Sequence, residues 1–500
     1  MNMIELTRMT NNQIQKTMLS CLATPIQKVE TTGLNTGSGL VNYDLQPAAK
    51  LLYPVLTPLR NSTPRVKGGG GNATHWKAVV KVNAGNLSMG VAEGRRNGVI
   101  NTQTEDAMAK YATLGLENNV TDEAVNQSKG FDDLRALCTK NLLESTMIGE
   151  EFVLLAGNAS MKLGKTGTPT LAAAATGGTL GANKVVSVIC SALTPEGYQM
   201  ASIGSGLQAK ITRTNADGTT DQYGGGVAQK SDAASVTTGA GTANSVTASV
   251  PAVKGAVAYA WYWGTAGNEV LGAITTINSV LITADAAGTQ KAADLPAEDC
   301  STNELLLDGY MTQLLQRGGY YKALPTGIAG SGKGLTADNA AGIVEIDEAL
   351  KWFWDNYKAS PDEIHCNAQE IKNITQKIIA NGGSPLIRFN FDAEKSDVST
   401  LSAGVVIGSY LNKYTMAGGK SVKIVIHPNM PAGTMMFRTT QIPYPLSNVT
   451  NVAEVRYQQD YYQTEWPRRT RAYEYGVYAA EALALYAPFC FGILTNIADA

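Results

Sequence analysis

The sequence predicts an α+β chain of two or three domains with an all-β insertion. Three observations carry that reading. The chain has 500 residues, too many for one ordinary core. Helical and strand-like periodicities both occur along most of it, in an irregular order. Near residue 171 the composition turns to Ala, Gly, Thr, Ser and Val with sparse charge, and it stays so to about residue 292.

Residues 1–72 read as an extended arm. Pro25, Pro47, Pro54, Pro58 and Pro64 punctuate it, and each removes a donor and blocks helix continuation. Leu51, Leu52, Tyr53, Val55 and Leu56 are too apolar for a free linker, so the arm should lie on another surface, its own or a neighbour's. Gly68 to Gly71 form a hinge. Residues 73–118 read as a long hairpin. Its first strand, 74–82, contains Trp76, and its return strand is expected over 107–116. Gly85, Gly90, Gly94 and Gly98 mark a tip carrying Arg95 and Arg96. A hairpin without its own core must rest on something else. Region 119–183 holds the clearest helix, about 130–157, with Leu134, Leu137, Cys138, Leu142, Ile148, Phe152 and Leu155 at helical spacing. Gly157-Asn158 ends it.

Residues 184–285 read as the insertion. Strand-like runs stand at 185–190, 207–213, 245–250, 256–263 and 279–283, with a hairpin signal at Asp217-Gly218. Val257, Tyr259, Trp261 and Trp263 alternate with Ala258, Ala260 and Tyr262, which gives a strand with one heavy face. The expectation is an immunoglobulin-like or fibronectin-like sandwich, separable and pointing away from assembly contacts. Region 286–404 returns to helices. Ser301 to Glu304 resemble a capping box before Leu307, Met311, Leu314 and Leu315, with closure at Gly318-Gly319. A second helix carries Ile343, Ile346, Leu350, Phe353 and Tyr357 up to Pro361. A strand at 363–366 leads into a helix at 367–379. Region 405–500 is strand-rich, with runs at 405–411, 422–427, 434–442, 452–462 and 473–485.

Chemistry is sparse. A net charge of −2 without a basic tail argues against a protein whose main task is gripping nucleic acid. Only 16% of residues are charged, which hints at a surface covered by neighbours. The six cysteines form no CxxC pair and read as small reduced core residues. His75, His365 and His427 form no metal-binding spacing and read as core or strand-end residues. Neither a signal peptide nor a membrane-spanning run stands out. Gly327 to Gly334 almost match a phosphate-binding loop, but Gly334 replaces the magnesium-ligating hydroxyl, so a flexible glycine loop is expected. Glu150-Glu151 on the long helix read as a solvated face. Two basic clusters, Arg95-Arg96 and Arg468, Arg469 and Arg471 after Trp466-Pro467, suit interface ion pairs or phosphate contacts.

The order of elements, with the stretches from Gly33 to Asp44, Leu52 to Arg60 and Pro64 to Trp76, resembles the major capsid proteins of tailed bacteriophages. That resemblance covers nearly the whole chain except the β-rich insert. It implies the phage capsid fold: an N-arm over 1–72, an extended E-loop over 73–118, and a peripheral domain with a spine helix over 119–183. The insertion then occupies 184–285, an axial domain 286–404, and the axial end with the return to peripheral strands 405–500. It implies a structural subunit, not an enzyme and without a cofactor, that builds pentamers and hexamers around double-stranded DNA in a shell assembled in the host cytoplasm. The implied partners are further copies of itself, a separate scaffolding protein, a portal, a possible decoration protein and weakly held DNA, with no membrane. Candidate intersubunit contacts are Leu51, Leu52, Tyr53, Trp76, Arg95, Arg96, Arg468, Arg469 and Arg471. The rival readings are a tail-tube or surface-adhesion subunit built around the β-rich block and, less well supported, a nucleotide-binding protein.

Overall fold

The computed structural model describes residues 55–338, 342–380, 389–390, 400–401, 408–416, 418–442, 444 and 446–499. Leu51, Leu52 and Tyr53 lie outside the described residues, as does most of the expected arm.

The long helix spans Leu134–Ala156. Cys138, Leu142, Thr146 and Glu150 recur every four residues and are all buried, so one stripe of the helix faces inward. Cys138 and Leu142 pack against Tyr475 and Val477 of a four-stranded sheet. Its order is Arg65–Lys67, Ala453–Glu465, Ala472–Leu485 and Ala112–Thr121. The two long strands form an antiparallel ribbon, and Arg65–Lys67 joins it in parallel.

Ala73–Lys81 pairs with Gln103–Lys110 as an antiparallel hairpin. The expected return strand over 107–116 is therefore two strands. Tyr111 N–H donates to the Asn72 carbonyl at 3.1 Å and closes the hairpin at its base. From Ala112 onward the chain pairs with the ribbon instead.

The insertion is a two-layer sandwich. One sheet runs Ser279–Ile282, Ser245–Ser249, Thr170–Ala174; the other runs Val270–Thr275, Ala258–Gly264, Val185–Leu193, Ala234–Thr237. All these pairings are antiparallel. The first strand lies ahead of the expected start at 184. The strand order also departs from the immunoglobulin pattern, in which the first and fourth strands share a sheet with the second and fifth. Here the first and fourth share a sheet with the seventh. Asp217-Gly218 does turn a hairpin, Lys210–Thr214 with Thr220–Gly224, but that hairpin forms a sheet of its own.

Ala258–Gly264 shows why the sandwich is not peripheral. Tyr259, Trp261 and Trp263 fill the space between the two sheets. Ala258, Ala260 and Tyr262, on the opposite face, belong to the central core with Leu154, Tyr310 and Phe491. Both faces are buried, and the small alanines let the rest of the subunit approach closely. Gly272 makes room for the largest ring, because a Cβ there would stand 2.1 Å from Trp263. Trp261 Nε1 donates to Thr275 at 2.8 Å and Trp263 Nε1 to the Ala284 carbonyl at 3.0 Å, so neither buried indole loses its hydrogen bond. The expectation of a separable block is corrected: one of its sheets is a wall of the main core.

A six-stranded mixed sheet follows, in the order Tyr320–Ala323, Gly492–Thr495, Met435–Arg438, Glu363–Cys366, Lys420–Ile426, Ser409–Asn412. Helix Val344–Tyr357 covers it through Ile346, Leu350 and Phe353, and Ile374 of helix Ala368–Ala380 joins the same core. Gly318, at φ +80°, closes helix Tyr310–Gln316 as expected. The capping box does not form, because its side chains are committed elsewhere. Ser301 Oγ accepts from Leu163 N–H at 2.9 Å and Asn303 donates to Glu196 at 2.8 Å, so the helix waits until Tyr310.

Candidate assembly surfaces

Among the described residues the hairpin is the most exposed apolar feature. Val79, Val82, Met89, Val99 and Met108 are exposed, Met89 and Val99 almost completely, at 92% and 96%. Strands with alternate side chains facing water on both sides have no layer to bury them. Its tip, between residues 82 and 102, carries Arg95 and Arg96. Both are exposed, and neither has an ion pair among the described residues.

Trp76 makes contacts inside its own subunit. It is half-buried against its own subunit, edge-on to Tyr486 at 5.3 Å, with the Arg317 guanidinium 5.1 Å from its ring. It anchors the hairpin's base to the body. Such aromatic and cation–π contacts contribute about 0.5–1.5 kcal/mol each.

Arg468, Arg469 and Arg471 stand together on the turn of the ribbon. Arg468 lies 3.6 Å above the Tyr473 ring and pairs with Asp122 at 3.3 Å, and Arg471 pairs with Glu123 at 2.7 Å. Both carboxylates belong to the first turn of the short helix Asp122–Gln127, where negative charge suits the helix dipole. Arg469 lines an open groove of about 810 Å³ with Trp466, Tyr478, Arg213 and Asp217. Two of the three arginines therefore have partners within the subunit.

The glycine loop at Gly327 to Gly334 is half-buried, with Ile328 exposed at its tip. Gly330 N–H donates to Ser279 Oγ at 3.0 Å, the Lys333 carbonyl accepts from Ala498 N–H at 3.0 Å, and a Cβ on Gly332 would meet Ala498 at 2.7 Å. The preceding strand, Tyr320–Ala323, is at a sheet edge, and the next helix starts only at Val344. The flexible reading is corrected: this loop wedges between the sandwich and the C-terminal strand.

Sequence reasoning missed a buried charge network around residues 58–65. Pro58–Ser62 is a short helix whose Leu59 is completely buried. Glu151 accepts from Leu59 N–H at 2.8 Å and Arg60 N–H at 2.7 Å, satisfying the helix's first free donors. His427 Nε2 lies 2.7 Å from the same carboxylate. Glu150 takes the Arg60 guanidinium at 2.8 Å and also pairs with Arg65. Arg65 reaches Asp460 at 2.7 Å and Glu481 at 2.8 Å. Burial, and then Glu150, push the Glu481 carboxyl well above the usual range, while Arg65 opposes them. The solvated reading of Glu150-Glu151 is corrected: both are buried. The four-residue spacing from Cys138 to Glu150 was the available signal.

The buried cysteines Cys138, Cys190, Cys300, Cys366 and Cys490 are free thiols, and burial raises the thiol pKa of each. His365 and His427 are buried in the core and His75 is exposed. Among the described residues no cluster could hold a metal ion, and no helix is long and apolar enough to cross a membrane.

No protein-family profile and no curated protein sequence matches the chain. Several solved structures are similar to it. The capsid of Myoviridae phage XM1 is 10% identical with a TM-score of 0.41, over 93% of this chain and all of that one. The capsid of cyanophage P-SCSP1u is 9% identical with a TM-score of 0.38, over 94% and 98%. The SrpI encapsulin of Synechococcus elongatus is 9% identical with a TM-score of 0.42, over 94% and 97%.

Proposed function

We propose that the chain is the major capsid protein of a tailed phage, a shell subunit with no catalytic role. The observation that carries this reading is the hairpin from Ala73 to Lys110, whose exposed valines and methionines lack a covering layer among the described residues. Burying such side chains against a neighbour yields about 25 cal/mol per Å². Many copies repeating one modest contact make a stable closed assembly. The order of elements and the sequence resemblance support the same reading.

In finer detail, the subunit forms pentamers and hexamers around the domain containing the six-stranded sheet. Residues 1–54 and the hairpin lie across neighbours, with Leu51, Leu52 and Tyr53 in those contacts and Arg95 and Arg96 adding ion pairs at the tip. The shell encloses double-stranded DNA and touches it weakly, without reading sequence. A separate scaffolding protein, a portal and a decoration protein are the expected partners, in a shell assembled in the host cytoplasm.

Electron microscopy and sedimentation of the purified protein test the proposal. Closed shells of uniform diameter are expected. Tubes, or a protein that stays monomeric at high concentration and in the presence of crowding agents, would overturn it.

A further inference from the structure

His365 and His427 lie beside the short helix Pro58–Ser62, with ring centres 6.0 Å apart. Their hydrogen bonds define their protonation. His427 Nδ1 accepts from Asn429 N–H at 3.2 Å, so its proton is on Nε2, which donates to Glu151. His365 Nε2 lies 3.0 Å from Glu363, and its Nδ1 is buried without a hydrogen-bond partner. Both rings are accommodated as neutral Nε2–H tautomers. A second proton on His365 would be a buried N–H without an acceptor; one on His427 would face the Asn429 N–H.

We propose that these two histidines form an acid-sensitive latch on helix Pro58–Ser62, closed while His365 is neutral and loosened when it is protonated. The link to the helix is Arg438. It donates to Glu363 at 2.8 Å, to Ser62 Oγ at 2.8 Å and to the Ser62 carbonyl at 3.3 Å. A charged His365 competes for Glu363 and repels Arg438, so the grip on Ser62 weakens.

The charged groups around His365 come from every packed element. Glu363 stands on its own strand, Arg438 on the next, and His427 beyond the strand on the other side, where it meets Glu151 of the long helix. Arg60 of the short helix is already paired with Glu150. Burial holds the His365 imidazole below its usual range; Glu363 opposes this, and Arg438 and His427 reinforce it. Glu363 itself is held down to about 2 by the His365 hydrogen bond, against burial and with help from Arg438, so it stays ionised throughout the relevant range. The sign follows. A histidine whose folded pKa is depressed contributes full stability above its free value of about 6.5, and that stability is lost as pH falls below it.

Hydrogen exchange of the full-length, unassembled subunit tests the latch. After correction for intrinsic rates, peptides spanning residues 55–67 are expected to exchange about tenfold faster at about pH 5.5 than at about pH 7.5. Sandwich peptides should not change. His365→Gln, which keeps a donor to Glu363 without a titrating ring, is expected to remove the pH dependence. Equal protection at both pH values would overturn the latch. So would a pH dependence that survives in His365→Gln. If the variant does not fold, selective labelling of the three histidines in the unaltered protein still decides. A folded His365 pKa at or above about 6.5 refutes the proposal.

Discussion

Residues 55–67 and the hairpin that follows start from similar sequence and end in opposite environments. Both mix apolar residues with prolines or glycines, and neither has enough of them for a core. The first is built into the subunit: Leu59 is completely buried, Glu151 caps its helix, and Arg65–Lys67 joins the ribbon sheet. The second projects, holding to the body through Trp76 and its base. The difference lies in what each segment offers a neighbour. The first presents charged groups and free helix donors to buried carboxylates. The second presents valines and methionines to water.

The largest test of that contrast is Glu151→Ala. It strands two backbone donors and His427 in the core, and a loss of about 3–5 kcal/mol is expected in urea unfolding of the unassembled subunit. A loss below about 1 kcal/mol would mean that residues 55–67 are only laid on the body. Deletion of residues 1–66 should consequently give an unstable subunit, since it removes Leu59, Arg60 and Arg65 together. Recovery of a normally melting monomer would break the comparison.

Trp76→Ala probes the boundary between the two regions. A loss of about 1–3 kcal/mol is expected, with faster proteolysis of the hairpin and unchanged protection of the sandwich. The smallest effect on the subunit itself belongs to the tip. Met89→Ser with Val99→Ser should change its unfolding free energy by less than about 0.5 kcal/mol. The same pair should reduce shell formation in sedimentation assays. Unchanged assembly would turn the hairpin into a passive projection.

Much of the secondary structure was legible in the sequence. The strand Glu363–Cys366 stands where its residues placed it, and helices Leu134–Ala156, Val344–Tyr357 and Ala368–Ala380 lie within a few residues of their expected limits. Their apolar spacing is local, and local spacing survives folding. The failures share a cause. Ser301 and Asn303 have the residue types of a helix cap, yet they bond to Leu163 and Glu196, far away in sequence. Glu150 and Glu151 look like surface acids until Arg60, Arg65 and His427 arrive from remote elements.

The sequence by itself determined the α+β character, the long helix, the hairpin, the β-rich insertion and the heavy face of Tyr259, Trp261 and Trp263. Each depends on periodicity or turn chemistry within a short stretch. Only the tertiary structure decided which faces were covered. Ala258, Ala260 and Tyr262 became core because a second layer packed on them, and Glu151 became buried because a helix donor and a histidine met it there. Burial is a property of the partner as much as of the residue. An alanine face or a pair of glutamates reads as surface until the opposing element is in place.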